Sequence, residues 1–172
     1  MTPFCFEHVF VADGPGELFA AYFDAQHQIE QDRVLEIRER QVIELVDRGD
    51  EIVRRSRVVP GRQLPVLLRP LASGPLHYIE HAVGRRAAHT IDIDLRLFGD
   101  RGRVTARYEL AQMAPGSVRR RYSGVVSVDV ALVAGRVERG IVTEFERSLS
   151  RASSCTQNWL VQQTPRSAAA RA

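Results

Sequence analysis

The sequence contains no lysine, and all 24 of its basic residues are arginine. Arginine must therefore supply the surface charge that the two residue types usually share, so a cluster of arginines is weak evidence for nucleic-acid binding here. The 21 acidic residues leave a net charge of only +3, and the arginines are spread along the whole chain. We therefore expect no nucleic-acid partner.

Cysteine and long apolar runs are scarce as well. The two cysteines, Cys5 and Cys155, have neither the spacing of a metal site nor that of a disulfide framework. No stretch approaches the roughly 20 apolar residues of a transmembrane helix. The first ten residues lack the basic and then apolar pattern of a secretory signal. These absences favour a cytoplasmic protein with free thiols.

What the chain does contain is ordinary for a globular domain. It has 172 residues, of which 44% are hydrophobic and 26% are charged. A chain of this length can bury a core without disulfides, and the composition excludes disordered, collagen-like and coiled-coil classes. We predict one domain over residues 1–163 and a flexible tail over residues 164–172.

The N-terminal part of the chain changes from strand to helix. Alternation in FCFEHVFVA predicts a strand, which the glycines and proline of residues 13–16 interrupt. From Glu17 to about Leu35 the apolar spacing favours two short helices with a joint near residues 24–28.

After residue 36 the apolar period is mostly two, which indicates strands. One hairpin is predicted to turn at Arg48-Gly49-Asp50, and we interpret this tripeptide as a turn because nothing indicates an extracellular, integrin-binding protein. Further strands are predicted over about residues 76–83, 90–98, 103–112 and 117–133. The last run is too long for one straight strand in a domain of this size, so we expect it to bend or bulge at Gly124.

A long helix is predicted from Gly135 to about Gln162. Hairpin connections between the strands imply an antiparallel sheet, so the fold class is α+β with the last helix covering one face of the sheet. The remaining segment, residues 60–75, is rich in proline and leucine and is expected to be an ordered loop.

The order of these elements resembles the helix-grip fold of the START-like (SRPBCC) superfamily over nearly the whole chain. The segments VDVALVAGRVERGIVTEFERSLSRASSCTQNWL and SRVVPGRQLP are most similar to an uncharacterised bacterial subgroup of it. The resemblance implies a curved antiparallel sheet of about seven strands, two short helices after the first strand and a long C-terminal helix. It also implies an internal apolar cavity between sheet and helix, which superfamily members use for hydrophobic molecules. The superfamily shares no catalytic set, so no catalytic residue follows from it.

Periodicity indicates which side chains would line such a cavity. On a helical wheel the apolar residues of the C-terminal helix form one broad arc. On the strand over residues 90–98, Ile91, Ile93, Leu95 and Leu97 share the face expected to point inward. The candidate ligand-binding residues are Ile79, Ile93, Leu95, Tyr108, Tyr122, Val126, Glu138, Ile141, Phe145 and Leu149.

Several polar patterns admit a functional interpretation but favour a structural one. Asp92 and Asp94 have a spacing that suits paired carboxylates, yet their strand neighbours favour a solvated outer face. His77 and His81 would lie about 13 Å apart on a strand, too far to share one zinc ion. One of these histidines could still bond a ligand or act as a base, although ordinary packing is favoured.

The run Arg119 to Arg121 is the densest basic segment. Its members alternate between the two faces of a strand, so they make no single patch, and we expect a solvated strand end. The loop over residues 60–75 could act as a lid, contact membranes transiently, or plug one end of the core.

Glu138 is the first acid after Gly135, and it lies among the apolar residues of the helix. If Gly135 is the N-cap, Glu138 is the third helical residue and forms half of a capping box. The alternative is a carboxylate at the cavity rim, paired with an arginine or histidine of the sheet.

We expect the protein to bind or transport a hydrophobic small molecule, such as a lipid, a sterol-like compound or a polyketide, without a metal or cofactor. One alternative is a cyclase- or lyase-type enzyme that uses the same cavity, with acid–base groups drawn from Tyr78, Tyr108, Tyr122, Glu138 and the two histidines of the 76–83 strand. Another is a protein-interaction module or half of a homodimer with a collapsed cavity.

Overall fold

The structure is a computed structural model that describes residues 1–61, 76–129 and 133–170, with side chains of the last segment described as far as residue 163. Its elements are β1 (Thr2–Val11), α1 (Pro15–Phe23), α2 (Ala25–Val34), β2 (Ile37–Asp47), β3 (Glu51–Pro60), β4 (Tyr78–Arg85), β5 (Thr90–Leu97), β6 (Gly102–Ala114), β7 (Ser117–Val128) and α3 (Ala134–Ala170). The prediction of one strand, two short helices, six strands and a long helix is confirmed.

The described strands form one antiparallel seven-stranded sheet in the order β1-β7-β6-β5-β4-β3-β2. Each strand from β2 to β7 pairs with its neighbour in sequence, as hairpin connections require. The exception is β1, which pairs along its whole length with β7 at one edge. The helix α3 packs against this β1–β7 edge, whereas α2 contacts both α3 and β2.

The two faces of the sheet differ in polarity, as β5 shows. Ile91, Ile93, Leu95 and Leu97 are buried, which confirms their predicted inward direction. On the other face Asp92 and Asp94 form ion pairs with arginines of neighbouring strands, including Arg107 at 2.5 Å and Arg103 at 2.7 Å. The two carboxylates therefore belong to a partly exposed charge lattice, as their predicted outer placement requires.

Asp24 is the joint between α1 and α2. It follows the last residue of α1, and its side chain accepts hydrogen bonds from the backbone N–H groups of Gln26 at 2.8 Å and His27 at 2.9 Å. This is a standard N-cap for α2. The predicted joint near residues 24–28 is confirmed.

The Arg48-Gly49-Asp50 segment is a hairpin turn. Gly49 has φ of +82°, a conformation that glycine adopts readily. The Asp50 carboxylate accepts a 2.8 Å hydrogen bond from the N–H of Ala87 in the β4–β5 turn. The tripeptide thus joins two turns at one end of the sheet.

The long strand predicted over residues 117–133 is shorter in the structure, because β7 ends at Val128; residues 130–132 lie outside the described residues. Of the predicted bend or bulge at Gly124, the bulge is wrong, since both β1 and β6 keep regular register with this residue, and the bend stays a prediction. Gly124 is needed for another reason. A Cβ atom there would lie 2.3 Å from the carbonyl oxygen of Thr105 on β6.

The helix α3 begins at Ala134 and its backbone continues to Ala170, eight residues beyond the predicted end at Gln162. Gly135 therefore lies inside the helix, and its predicted role as N-cap is wrong. The flexibility of residues 164–172 stays a prediction. No described helix combines the length and apolar character that crossing a bilayer requires. The predicted loop over residues 60–75 lies outside the described residues from residue 62 onward.

Candidate ligand-binding site

The inner face of β4 carries residues other than those predicted. Tyr78, Glu80 and Ala82 lie opposite the buried residues of β5 and face the interior, with Ala82 fully buried. Ile79 pairs with Arg57 and Arg96 on the outer face. The prediction of Ile79 as a cavity residue is therefore wrong, because alternation alone does not reveal which of two mixed faces of a strand is buried.

The other nine predicted residues face the interior. Eight of them are buried and one, Phe145, is half-buried and packs against the core. Phe4 brings three of them together. Its ring lies 5.9 Å from that of Phe145 and 5.3 Å from that of Tyr122, and Tyr122 lies 4.3 Å from Tyr108. Their contact with a ligand stays a prediction.

A small internal cavity of about 20 Å³ lies between the sheet and the helices. Its volume is that of a single water-sized group. Of the ten predicted residues only Tyr108 lines it. The lining residues are Leu18, Tyr22, His27, Gln31, Ile91, Tyr108, Leu110, Arg120 and Thr156.

Arg120 is the most unusual residue of this lining. Its exposed fraction is 7%, and its guanidinium lies over the rings of Phe10 at 4.9 Å and Tyr108 at 5.1 Å. One Nη donates a 2.7 Å hydrogen bond to Ser153 Oγ, but the buried Nε has no partner. Among the described residues no carboxylate forms an ion pair with it. Burial lowers the pKa of Arg120, although the guanidinium stays charged.

The prediction that Arg120 lies at a solvated strand end is wrong. The alternation of the three arginines was predicted correctly, since Arg121 is exposed and Arg119 lies on the outer face opposite exposed Val9. The position of Arg120 was readable from strand parity. It shares its face with Val118 and Tyr122, both of which are buried.

His8 adds a second basic side chain beside Arg120. The two residues occupy paired register positions of β1 and β7. His8 Nδ1 is buried without a hydrogen-bond partner. Burial, assisted by the charge of Arg120, lowers the pKa of His8. This corner of the interior therefore contains one fixed positive charge and a histidine that favours its neutral form.

Three of the interior tyrosines, Tyr122, Tyr108 and Tyr22, form a row from the sheet to α1. The ring of Tyr108 lies 4.3 Å from that of Tyr122 and 5.7 Å from that of Tyr22. Burial raises the pKa of all three hydroxyls. These hydroxyls therefore remain protonated near neutral pH.

His27 connects the two short helices to α3. Its Nδ1–H donates to the carbonyl oxygen of Ala21 at 2.6 Å, so Nε2 is left as an acceptor, 3.1 Å from the hydroxyl oxygen of Thr156. The ring lies 5.5 Å from that of Trp159. Burial lowers the pKa of His27, against the opposing effect of the bond to Ala21.

A second buried charge cluster contrasts with Arg120 because its charges are compensated. Glu80 lies 3.3 Å from Arg54 and 3.4 Å from Arg40, and Arg40 is also 2.9 Å from Asp32. Burial disfavours the charge of Arg40, but the two carboxylates outweigh it and raise its pKa. Arg54 also donates a 2.9 Å hydrogen bond to the carbonyl oxygen of Tyr22 and thereby anchors the end of α1.

The helix α1 separates the cavity from a larger outer groove. Leu18 and Tyr22 face the cavity. The opposite side of α1 borders a groove of about 380 Å³. The groove is lined by Gly16, Phe19, Ala20, Phe23, Asp24, Ile52, Arg86 and His89.

Glu138 lies at the inner N-terminal end of α3, but its role differs from the predicted capping box. Its carboxylate accepts hydrogen bonds from Val128 N–H at 3.1 Å and Thr2 Oγ1 at 2.8 Å, and it lies 3.1 Å from the ammonium group of Met1. It therefore joins α3 to β7 and β1. Burial alone would raise the pKa of Glu138, but these three partners together lower it.

Of the groups considered for acid–base chemistry, Tyr108 and Tyr122 lie side by side, with their rings 4.3 Å apart. His77 and His81 are exposed, and His81 lies on the outer face, whereas Tyr78, Tyr108 and Tyr122 face the interior. Glu138 is engaged with three partners at the end of the helix. Within the described part of the chain, no cluster of three metal-ligating side chains is present.

Solved structures with the same architecture include an aromatase/cyclase from Streptomyces sp. R1128, with a TM-score of 0.61 and 10% identity over 95% of this chain and 96% of that one. Norcoclaurine synthase from Thalictrum flavum has a TM-score of 0.63 and 12% identity over 93% and 86% of the two chains. A START superfamily protein from Mycobacterium smegmatis has a TM-score of 0.61 and 13% identity over 93% and 97%. The fold is therefore a START-like helix-grip fold, as predicted.

A comparison of the sequence with curated proteins finds no match. A family model does match, over residues 13–160, and its description is "protein of unknown function (DUF2505)". The match includes α1, α2, the strands from β2 to β7 and most of α3. The chain belongs to this DUF2505 family.

Proposed function

We propose that the protein binds a hydrophobic small molecule in the space enclosed by the sheet and the three helices. The observation that carries the proposal is the internal cavity, whose walls combine the apolar side chains Leu18, Ile91 and Leu110 with the rings of Tyr22 and Tyr108. Pockets with apolar walls and a few polar groups are typical of small-molecule sites.

The fold relatives support this assignment. An aromatase/cyclase has the same fold, and norcoclaurine synthase has been crystallised with dopamine and hydroxybenzaldehyde. The aromatic row from Phe145 through Phe4 and Tyr122 to Tyr108 gives this chain a surface on which a ring or an aliphatic chain would pack.

The cavity of about 20 Å³ accommodates one small group, so a whole ligand requires the interior to expand. We infer that α1 is the element that moves. It is a helix of nine residues whose N-cap, Gly14, provides no side-chain hydrogen bond. Displacement of α1 would join the cavity to the 380 Å³ groove on its other side.

A binding experiment with Nile red, a neutral fluorescent probe, tests the proposal. The wild type should bind it with a rise in fluorescence, and Leu110→Phe should weaken binding about tenfold or more because the larger side chain fills the cavity. Ile79→Phe adds a ring to the outer face and serves as the matched control. Native mass spectrometry of the purified wild type tests the same proposal without a substitution, because a bound ligand would appear as an added lipid-like mass. Wild type that carries no lipid-like mass and does not bind the probe would contradict the proposal.

An enzyme of cyclase or lyase type would use the same site. The inward-facing Tyr108 and Tyr122 keep their protons because burial raises the pKa of both, so they would act as acids. The enzyme hypothesis predicts that the Tyr108→Phe protein still binds an identified ligand but no longer converts it. Slow or absent conversion by the wild type would favour a carrier.

A protein-interaction module is the second candidate, and the small cavity volume favours it. The edge strand β2 also exposes Val42, Ile43 and Leu45 by about half each. A protein-interaction module with a collapsed cavity would not bind Nile red. Replacing Ile43 with arginine would then reduce an association measured by analytical ultracentrifugation, whereas a small-molecule carrier would keep its ligand affinity.

A further inference from the structure

We propose that Arg120 is the anchor for a carboxylate, so that the ligand is a small hydrophobic carboxylic acid whose charged end lies against this residue. The inference rests on the proposed function, since it names the chemical class of the molecule bound in the same space. It begins from a charge that the described residues leave uncompensated.

The buried charge of Arg120 requires an explanation. Moving an ion from water into a protein interior costs several kcal/mol unless a partner compensates it. Arg54, which is equally buried, has Glu80 at 3.3 Å. Arg120 has only the hydroxyl of Ser153, two aromatic faces and no carboxylate among the described residues. A bound anion would compensate this charge, because the guanidinium lies at the wall of the cavity.

The donor geometry favours a carboxylate. Of the guanidinium nitrogens, one Nη is bonded to Ser153, while Nε is buried and unpartnered. A carboxylate binds guanidinium through two parallel N–H donors, here Nε–H and one N–H of Nη2, the nitrogen beside it; Ser153 would keep the other N–H of Nη2. The adjacent His8 has a lowered pKa and is neutral near pH 7, so the site holds a single positive charge. One positive charge suits a monoanion, and a carboxylate, being smaller than a phosphate, needs less expansion of the 20 Å³ cavity.

The remaining cavity walls indicate the chemistry of the uncharged part of the ligand. Leu18, Ile91 and Leu110 are apolar, and the ring of Tyr108 lies directly beside the guanidinium. A carboxylate at Arg120 therefore places its hydrophobic body against Tyr108 and Tyr22. From there the body would extend toward α1, where the groove lies.

The test compares 4-butylbenzoic acid with 4-butylbenzyl alcohol, which has the same body and no charge, by isothermal titration at pH 7.5. The wild type should bind the acid at least tenfold more tightly than the alcohol. Arg120→Gln should bring the two affinities within about twofold by weakening only the acid. Arg119→Gln removes a neighbouring arginine from the outer face of the same strand and should leave the preference unchanged.

Each outcome decides between the two proposals. If the wild type binds both compounds equally, the carboxylate assignment is wrong and the proposed binding function stands. If it binds neither, nor Nile red, the proposed function itself is wrong. A preference for the acid that survives in Arg120→Gln would place the anion elsewhere.

Arg120→Gln is a core substitution, so a second measurement avoids dependence on its folding. In wild-type protein labelled with ¹⁵N, the Nε–H resonance of Arg120 should shift on addition of the acid and not on addition of the alcohol. An unchanged Nε–H resonance in protein saturated with the acid would overturn the assignment.

Discussion

Glu138 accepts a hydrogen bond from the backbone N–H of Val128 at 3.1 Å, and this bond joins the last residue of β7 to the beginning of α3. Thr2 on β1 donates to the other carboxylate oxygen at 2.8 Å. The side chain thus connects three elements at one end of the domain. Its position on an apolar helix face follows from this role rather than from capping.

Glu138→Gln should lower the free energy of unfolding at pH 7 by about 1–3 kcal/mol, because a neutral amide cannot accept from all of these donors. Glu144→Gln, at a half-exposed position of the same helix paired with Arg147 at 3.9 Å, should change it by less than about 0.5 kcal/mol. Urea unfolding measures both. Equal effects would contradict the role assigned to Glu138.

The same carboxylate predicts a pH dependence. Its folded-state pKa lies below the ordinary 4.5, so the unfolded chain binds the proton more readily. The contribution of Glu138 is therefore present above pH 4.5 and is lost as the pH falls through the folded pKa. The stability difference between wild type and Glu138→Gln should shrink between pH 5 and pH 3. A difference that stays constant over this interval would exclude the ionised form as its source.

Gly84 allows α1 to lie close to the sheet. A Cβ atom there would be 2.6 Å from the ring of Phe23 and 2.7 Å from that of Phe19. Gly84→Ala should therefore push α1 outward, lower the free energy of unfolding by about 1–3 kcal/mol and speed amide exchange in α1. Gly16→Ala lies in the same helix, where a Cβ meets nothing within 4 Å, and should be neutral or slightly stabilising. Unaltered exchange in Gly84→Ala would contradict the proposed mobility of α1.

Gly124 is required by backbone proximity, so its replacement should be more damaging. Gly124→Ala places a Cβ 2.3 Å from a carbonyl oxygen of β6, which cannot move without disturbing the sheet. We expect a loss of about 3 kcal/mol or more in thermal or urea unfolding. Gly140→Ala on α3 meets nothing within 4 Å and should gain about 0.5–1 kcal/mol. Similar values for the two variants would refute the close approach at Gly124.

Glu80 compensates the buried Arg54 and the partly buried Arg40. Glu80→Gln keeps the shape of the side chain but leaves the charge of Arg54 without its partner, so we expect a loss of about 3–5 kcal/mol. The exposed pair of Glu30 with Arg33 provides the comparison, and Glu30→Gln should cost less than about 0.5 kcal/mol. Chemical denaturation at pH 7 measures the free energy of unfolding of both variants. A small effect at Glu80 would mean that water or rearrangement compensates these charges.

His27 predicts a second pH dependence. Because burial lowers its folded-state pKa below 6.5, the unfolded chain binds more protons in the interval between the two values. The free energy of unfolding should therefore fall as the pH decreases from 7.5 through 6.5 toward 5. Trp159, the sole tryptophan, has its ring centre 5.5 Å from that of His27 and should report the transition by fluorescence. His27→Gln should weaken this dependence and leave the part due to His8, whose pKa burial also lowers, and His81→Gln provides the comparison at an exposed position. If the free energy of unfolding of His27→Gln depended on pH as strongly as that of the wild type, the dependence would come from another titrating group.

The fold was predictable because its signals are repeated along many residues. The period of two in β5, the glycine of the β2–β3 turn and the long apolar arc of α3 each correspond to an observed element. The ligand-site residues were harder to predict, because the burial of one side chain is not indicated by a pattern that repeats along many residues. On β4 both faces are mixed, so Ile79 was predicted to face the interior but lies on the outer face, and Glu80 faces the interior instead.

Arg120 and Glu138 show a different difficulty. Strand parity placed Arg120 among buried residues, but the general expectation that arginine is exposed outweighed it. For Glu138 the error came from the helix boundary, because α3 begins at Ala134, two residues earlier than an N-cap at Gly135 would require. Its true partners, Val128 and Thr2, belong to other elements, and local sequence carries no information about such tertiary contacts.

The two faces of α1 have a consequence for inhibition. Leu18 and Tyr22 wall the interior, while Phe19 and Phe23 of the same nine-residue helix form part of the outer groove. A compound that wedged itself against Phe19 and Phe23 would fasten the helix to the sheet. Under the proposed function it would slow both uptake and release of the interior ligand without competing for the same space, so an inhibitor would not need to resemble that ligand.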